Sequence, residues 1–437
     1  MNGYELIAKV AEESREEMID CRRDFHKHAE TGWLEMRTSS LIARQLTNLG
    51  YEVLVGEDVC NPEDRMGVPD EKELEECYAR AVAQGADPEF VERTRGGKTG
   101  VIGILRCGEG PTVAMRFDID ALGVFESDEA DHKPAAEGFA SVNYGSMHAC
   151  GHDGHATMGL GVAKALMAVK DQLHGTVRLI FQPGEEGVRG AKGIVMKGHM
   201  DNVDYFLSGH ISKHQADDPG VFVANSYGAL ATCKYDAVYH GFAAHAGGSP
   251  NSGKNAMLAA CTAVLNLQAI PRHGAGATRI NVGRLIAGSG RNVICDEAKL
   301  ELEVRGATAE LNDYMCDHAE RILKAAAAMH DCTVDIKLMG SAIPLKSDAE
   351  LAERVRKTAE EKMGLVHDKR DTFKSSGSED CSYMMKRVQE QGGQAIYMRL
   401  MTTMAAGGHN RRYDFGEKVL VDGVKLYAGA ALDLMSE

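Results

Sequence analysis

Hydrophobic positions near the start of the chain recur at helical spacing. Apolar side chains return every three or four residues in YELIAKVAEESREEMIDCRRDFHKH and in TSSLIARQLTNLG, and the second run ends at Gly50, a residue that suits a helix C-terminus. Short β-rich runs follow, and a helical run, ATMGLGVAKALMAV, separates the last two of them: YEVLVG, TGVIGILRCG, PTVAMRFDID and GTVRLIFQP. This alternation predicts an α/β layered sheet whose loops at the strand ends carry the chemistry.

The pattern is interrupted between Val59 and Lys98. This stretch is bounded by Pro and Gly and contains one helical run, EKELEECYARAVAQG. We interpret it as an insertion between two strands rather than as a domain.

A second change comes near Gly228. From there to about Gly340 the runs read strand, helix, two strands, helix and strand, which predicts an α+β unit of ferredoxin-like pattern. Helix and strand alternation then resumes, so the unit is expected to be inserted into the larger domain. The predicted domains are therefore 1–228 with 340–437, and 229–339.

Composition supports two domains and argues against some classes of binding partner. A chain of 437 residues exceeds the roughly 250–300 residues at which one core stops growing. The net charge of −15, without a polybasic run, argues against nucleic acid or an anionic membrane as a partner. The charged opening has no apolar signal segment, and the 11 cysteines are scattered without a CxxC pair, so we expect a cytoplasmic protein with reduced thiols.

The densest chemistry lies in MHACGHDGHATMG, residues Met147 to Gly159. Histidine with a thiol and a carboxylate suits a borderline transition metal. The same set also suits an activated thiol, with Cys150 beside His152 or His148.

Three further segments favour the metal. Glu185 and Glu186 follow a strand in QPGEEGVRGA, His210 is expected at a strand end in FLSGHIS, and His409 lies in the loop AAGGHNRRYDF. A thiol nucleophile leaves these residues without a task, whereas a metal site uses them, with Glu185 as a general base for hydrolysis of an amide or ester. The predicted ligands are Cys150, His152, Glu186, His210 and His409.

Each residue taken alone has a simpler interpretation. A lone histidine such as His409 is more often a loop or core residue, and adjacent glutamates most often lie at a solvated helix N-terminus. Cys150 alone is most often a small buried hydrophobe. The combination is harder to dismiss, because three imidazoles in one short segment are unfavourable to bury without partners.

Other candidates are weaker. Asp118 and Asp120 in RFDIDAL are expected either to orient a ligand histidine or to cap a helix. His245 lies among alanines and glycines in GFAAHAGGSP, where neither a helix nor a strand needs a histidine. Three residues are candidate clamps for a substrate carboxylate, although an arginine leaving a strand is more often a surface residue. They are Arg291, Asn292 and Arg305.

Several motifs together resemble the aminoacylase/carboxypeptidase family of dinuclear metallohydrolases, in its cysteine-containing amidohydrolase branch. They run in order through nearly the whole chain: RRDFHKHAETGW, MRFDIDAL, MHACGHDGHATMGLGVAKAL, IFQPGEEGVRGAKGIV, GFAAHAGGSPNSGKNAM, AGSGRNVICDEAKLELEVRG, GSEDCSYMM and AAGGHN. The resemblance implies an α/β/α catalytic domain that holds two divalent metals, Mn²⁺ or Zn²⁺, and an inserted lid domain that dimerises.

The resemblance also implies residue roles. The five predicted ligands fall on the branch's ligand positions, Glu185 on its general base, and His245 on a lid histidine that stabilises the oxyanion in the partner's active site. Within that branch, the Val59 to Lys98 insertion with its RMGVPDE motif, together with HAETGW, resembles enzymes that act on p-aminobenzoyl-glutamate, so the resemblance implies this substrate. The bridging ligand stays open, as does the choice between a homodimer and a heterodimer with a paralogous subunit.

Rival functions remain at this stage. A hippurate-type or N-acetyl amino acid deacylase and a dipeptidase or aminopeptidase use the same site chemistry. A non-catalytic partner subunit is a third possibility, although the Glu185–Glu186 pair argues against it, since a retired site has no reason to keep a non-ligating base beside a ligand.

Overall fold

Helices and strands alternate along the chain, as the hydrophobic pattern predicts. A computed structural model describes residues 2–214, 220–370, 372–375 and 377–436. The α-helices are α1 Gly3–Glu13, α2 Arg15–Lys27, α3 Met36–Asn48, α4 Glu71–Ala83, α5 Val91–Thr94, α6 Lys133–Ala136, α7 His152–Ala168, α8 Ala191–Met196, α9 Ala256–Gln268, α10 Ala309–Met329, α11 Ala349–Met363, α12 Ser382–Glu390 and α13 Val419–Met435. The β-strands are β1 Glu52–Val55, β2 Val101–Arg106, β3 Thr112–Asp118, β4 Thr176–Gln182, β5 Tyr205–Lys213, β6 Val221–Val223, β7 Ser226–Tyr227, β8 Ala231–His240, β9 Thr278–Ala287, β10 Glu297–Gly306, β11 Thr333–Ala342, β12 Val366–His367, β13 Phe373–Lys374 and β14 Gln394–Thr402.

The larger of two compact units is built on a mixed sheet. It comprises Met1–Tyr227, Leu345–Ser375 and Asp380–Glu437. The strand order is β1-β2-β4-β3-β5-β14-β6-β12, in which β4, β3, β5 and β14 run parallel and β1 and β2 form an antiparallel edge. Nearly every residue of α7 is buried, as expected of a helix that is apolar all round. The predicted α/β fold class is confirmed.

Strand register brings the predicted site together. Asp118 at the end of β3 lies opposite Gln182 at the end of β4, so the chain leaves both strands at one edge of the sheet. Val113 of β3 lies opposite Tyr205 of β5, and continuing this register puts Asp118 level with His210. Parallel strands therefore deliver distant sequence segments to one place.

The smaller unit, Gly228–Pro344 with Ser376–Glu379, is the ferredoxin-like part. Its antiparallel sheet has the order β11-β8-β10-β9, with α9 and α10 joining the strands in a β-α-β-β-α-β sequence. Alternate residues of β8 are buried in one core with both helices. Because β11 runs to Ala342, this unit ends at Pro344, a few residues beyond the predicted 339.

The interrupting segment folds as part of the larger unit. It contains α4 and α5, and α4 contributes to a small separate core around Leu34, Met36 and Leu74. Among the described residues, no helix combines the length and the apolar character that crossing a bilayer requires.

We expect Arg22→Met to destabilise the larger unit. Arg22 is fully buried, with Nε 2.8 Å from Asp153 Oδ2 and Nη2 2.7 Å from Asp414 Oδ1. Removing one partner of a buried charge group leaves uncompensated charge and lowers the free energy of unfolding by about 3–5 kcal/mol. Urea unfolding followed by circular dichroism measures the loss. Arg15→Met, which breaks only an exposed pair with Glu12, is the control, and equal effects of the two substitutions would contradict the prediction.

Candidate active site

The five predicted ligands lie on four parts of the larger unit. Cys150 lies in the loop before α7, and His152 is the first residue of that helix. Glu186 lies in the loop after β4, and His409 lies in the loop after β14 with a left-handed φ of 64°. His210 lies inside β5.

Two local expectations are wrong. The helix predicted for ATMGLGVAKALMAV begins earlier, at His152, because the polar side chains of its first turn are buried and so give no exposed polar face that would mark the start of a helix. The expected strand end at His210 is also wrong, because β5 continues to Lys213 and pairs with β14 along that length.

The predicted ligand atoms converge in three overlapping groups that each contain at least two of the five residues. Cys150, His152 and His210 each offer a ligand atom within 4.8 Å of the others, and Cys150 Sγ lies 3.3 Å from His210 Nε2. Cys150, Glu186 and His409 form a second such group, in which His409 Nε2 lies 3.6 Å from Glu186 Oε1. His152 and Glu186 form a third group with Glu185, so Cys150, His152 and Glu186 each belong to two of these groups.

Two ligand atoms are buried without a hydrogen-bond partner among the described residues. They are His152 Nε2 and Glu186 Oε1. An unsatisfied buried polar atom is unfavourable by about 1–3 kcal/mol, so two in one place need a reason. Imidazole nitrogen, carboxylate oxygen and thiolate sulfur are the donors that zinc and similar divalent ions accept. These residues therefore fit a divalent metal centre.

Electrostatics argue against the thiol-nucleophile alternative. Burial, and then the neighbouring Glu186, raise the pKa of the Cys150 thiol well above its ordinary value, although His152 opposes the shift. An activated thiol needs the opposite shift. Burial, and then His155, lower the pKa of His210, which keeps its imidazole neutral as a metal ligand requires.

Asp120 fixes three members of the site at once. Its carbonyl oxygen accepts a hydrogen bond from His152 Nδ1 at 2.8 Å, which directs Nε2 toward the ligand group. Its carboxylate accepts the backbone N–H groups of Glu185 at 3.0 Å and Glu186 at 2.9 Å. Of the two roles considered for Asp120, orientation of a ligand histidine is the one its contacts fit.

Asp118 supports the site through a second histidine. It accepts a hydrogen bond from His155 Nδ1, and His155 Nε2 accepts the backbone N–H of Ile211 at 2.9 Å, next to His210. Burial alone would raise the pKa of Asp118, but Arg116 and then the two histidines hold it well below its usual value. The charged carboxylate thus stabilises the Nδ1–H form of His155.

The loop that carries Glu185 is held by two further buried acidic side chains. Glu35 accepts the N–H of Gly184 at 2.8 Å, and Asp380 accepts those of Gly190 at 3.0 Å and Ala191 at 2.9 Å. Burial, and then the nearby Asp120, raise the pKa of Glu35 to about 8. Sequence reasoning missed Glu35 and Asp380, because no local pattern distinguishes them from helix-flanking acids.

The predicted residues of the smaller unit lie partly together. His245 is exposed, and its backbone lies beside the 291–293 loop, since Ala246 N–H donates to the Asn292 carbonyl at 3.0 Å. Arg291 and Asn292 are exposed. Arg305 lies apart on β10, where its Nε donates to Glu303 Oε1 at 2.9 Å.

The tautomer of His245 follows from its contacts. Nδ1 accepts the N–H groups of Gly247 at 3.1 Å and Gly248 at 2.9 Å. An accepting Nδ1 in a neutral ring leaves the proton on Nε2, so Nε2–H is the donor end of this side chain.

Comparison with known proteins identifies the family. A profile described as Peptidase family M20/M25/M40 matches residues 114–433. The chain belongs to this family. One subunit of the p-aminobenzoyl-glutamate hydrolase of Escherichia coli (strain K12) is 44% identical over 413 residues, which cover 94% of each chain. The indole-3-acetyl-aspartic acid hydrolase of Enterobacter agglomerans is 44% identical over 418 residues, which cover 95% of each chain.

A solved structure agrees. The aminobenzoyl-glutamate utilization protein from Klebsiella pneumoniae superposes with a TM-score of 0.83 at 37% identity, with 97% of each chain covered. The resemblance inferred from the motifs is confirmed, and the chain is a metallo-amidohydrolase of the M20 type.

Asp120→Asn should disable the site without unfolding the protein. An amide in place of the carboxylate turns a nitrogen donor toward one of the two N–H groups it now accepts, so Glu185 and Glu186 lose their fixed position. Changes to residues that orient ligands typically lower activity or metal affinity 10–100-fold, and kcat/KM with an N-acyl amino acid measures the loss.

The matched control is Asp204→Asn. Asp204 also accepts a backbone N–H, that of Thr112 at 2.8 Å, but at the opposite end of β3. If both variants lost activity equally, the effect of Asp120→Asn would reflect strand stability and not the site.

Proposed function

We propose that this enzyme hydrolyses the amide bond of N-aroyl and N-acyl derivatives of acidic amino acids, and that its specific substrate is p-aminobenzoyl-glutamate, cleaved to p-aminobenzoate and glutamate. The observation that carries the proposal is the Glu185–Glu186 pair, which Asp120 holds beside a convergent donor set. One carboxylate is then a ligand and its neighbour a base, the division that amide hydrolysis needs.

In this proposal the donor set holds two divalent ions, Mn²⁺ or Zn²⁺. Five ligands exceed the three protein ligands that are typical of a mononuclear catalytic zinc site. Bound ions supply a lowered pKa of water and polarisation of the scissile carbonyl. The proposed ligands are Cys150, His152, Glu186, His210 and His409.

Glu185 acts as the general base. The residue is only 8% exposed, which limits competition from bulk solvent. It takes a proton from the attacking water and passes it to the amine nitrogen that leaves with the amino acid. His245 is proposed as the oxyanion donor in the partner's active site, and its exposed Nε2–H end supports that task.

The names of two relatives support the proposed substrate class. Both names join an aromatic acyl group to an acidic amino acid, glutamate in one and aspartate in the other. The carboxylates of such a substrate need hydrogen-bond donors, for which we propose the cationic Arg291 and Arg305 and the amide of Asn292. Within the described chain Arg291 has no carboxylate within ion-pair distance, whereas Arg305 already pairs with Glu303.

A second candidate substrate is indole-3-acetyl-aspartate, favoured by a relative of equal identity.

We further propose an oligomer, either a homodimer or a heterodimer. The Escherichia coli relative is named as one subunit of its hydrolase, which supports a heterodimer. All 11 cysteines are free thiols, which supports our proposal of a cytoplasmic, reducing environment.

Two glutamine substitutions separate base from ligand. Glu185→Gln should retain bound metal and lose activity by roughly 10²–10⁴-fold, the range of general acid–base catalysis. Glu186→Gln should lose metal as well, because an amide oxygen is a weaker ligand than a carboxylate. Elemental analysis and kcat measured on the same samples give both answers. Near-normal turnover in both variants would disprove the assigned roles.

A substrate panel tests the specific claim. Comparing kcat/KM for p-aminobenzoyl-glutamate, indole-3-acetyl-aspartate, hippurate, N-acetyl amino acids and a dipeptide should rank the first compound highest. The dipeptide should rank last, because the named substrates of both relatives lack the free α-amine that a dipeptide carries on its acyl side. Faster turnover of the simple N-acyl compounds would refute the specific substrate and leave amide hydrolysis standing.

A further inference from the structure

The loop that carries the proposed base has an unfavourable backbone. Three residues of the 184–188 segment adopt left-handed φ values: Gly184 at 61°, Gly187 at 91° and Val188 at 59°. Glycine tolerates this region, but a β-branched valine does not, and such a conformation persists only where surrounding contacts impose it. The position of Glu185 therefore depends on groups outside the loop.

Arg189 is one of those groups, and it acts on the carbonyl side of the loop. Its Nε donates to the Glu186 carbonyl oxygen at 2.9 Å. Its Nη1 donates to the Gly67 carbonyl oxygen at 3.1 Å, in the segment that interrupts the strands. One guanidinium thus joins the base loop to that segment, by a fork geometry that lysine cannot reproduce.

The guanidinium occupies a slot formed by glycines. A Cβ at Gly32 would clash with Arg189 Nη2, and one at Gly187 would lie 3.0 Å from Nε. A Cβ at Gly184 would lie 3.7 Å from the Arg189 Cβ. These glycines come from ETGW and QPGEEG, so two distant motifs make room for one side chain.

The interrupting segment is anchored at the same point by a second contact. Trp33 is fully buried and donates from Nε1 to the Met66 carbonyl oxygen at 2.7 Å. The adjacent carbonyls of Met66 and Gly67 are therefore held by Trp33 and Arg189. Arg65 ties this turn to the far end of the segment by donating to the Gly96 and Gly97 carbonyls at 2.9 and 2.8 Å.

We propose that Arg189 is a positioning residue for the general base, and that the 59–98 segment sets the efficiency of amide cleavage through it. The inference rests on the proposed role of Glu185. It gives the 59–98 segment a structural role that its sequence does not reveal. The segment provides the Gly67 carbonyl oxygen, which holds Arg189 while Arg189 holds the loop.

The test compares Arg189→Ala with Arg95→Met, using whichever N-acyl amino acid the wild type cleaves. Arg95 lies in the same segment, but its guanidinium contacts only residues of that segment, in exposed pairs with Glu75 and Glu92 and over the Tyr78 ring, so its loss should leave kinetics unchanged. Arg189→Ala should lower kcat about 10–100-fold with little change in KM and with full metal content. Added ethylguanidinium should restore part of kcat, because it fits the vacated slot.

Gly32→Ala is a second variant that displaces Arg189 without removing it, and it should lower kcat without rescue by ethylguanidinium. Unchanged kcat in Arg189→Ala would overturn the proposal. So would a fall that only follows lost metal, or one that neither responds to ethylguanidinium nor recurs in Gly32→Ala. A failure of p-aminobenzoyl-glutamate as substrate leaves these ratios measurable, whereas full activity of Glu185→Gln would refute the proposed base itself.

Discussion

The active site depends on one buried carboxylate, that of Asp120, which accepts hydrogen bonds from two successive backbone N–H groups. The carboxylate joins the end of β3 to the loop after β4, and the Asp120 carbonyl oxygen adds the start of α7 by accepting from His152 Nδ1. Hydrogen bonds to a charged acceptor contribute about 1.5–3 kcal/mol each. Two of them offset the roughly 1–3 kcal/mol of strain at Val188, so the loop keeps a conformation that its own sequence disfavours.

Several acidic side chains lie close together around Asp120, and they differ in their protonation state. Asp118 stays ionised because Arg116 lies against it, with Nη1 2.7 Å from Oδ2. Glu35 has its pKa raised to about 8 by burial and by Asp120, so a second negative charge beside Asp120 is avoided at neutral pH. Two buried atoms, His152 Nε2 and Glu186 Oε1, have no hydrogen-bond partner among the described residues, and both belong to the groups of predicted metal ligands. A bound cation would satisfy them, so metal binding and stability of the native site are coupled.

Much of this architecture is predictable from sequence because its signals are local. Strand and helix periods predict both units, and the short segments around Cys150, Glu186 and His409 carry their chemistry in adjacent residues. The hydrogen-bonded chain from Asp118 through His155 to Ile211 has no local signal, because strand register and a helical turn bring those groups together. Glu35 and Arg189 act on backbone atoms, which have no sequence signature. Such contacts become visible only in the folded chain.

The same division bears on specificity under the proposed function. Two relatives of equal identity are named for different aromatic acyl groups on acidic amino acids. An apolar pocket separates acyl groups weakly, by about 10–200-fold per methylene, whereas a site built to pair a polar group rejects its absence by about 10⁴–10⁵-fold. Recognition of the acidic amino acid is therefore the more constrained half of the problem. The acyl preference can change through small apolar substitutions that leave the Asp120 arrangement intact.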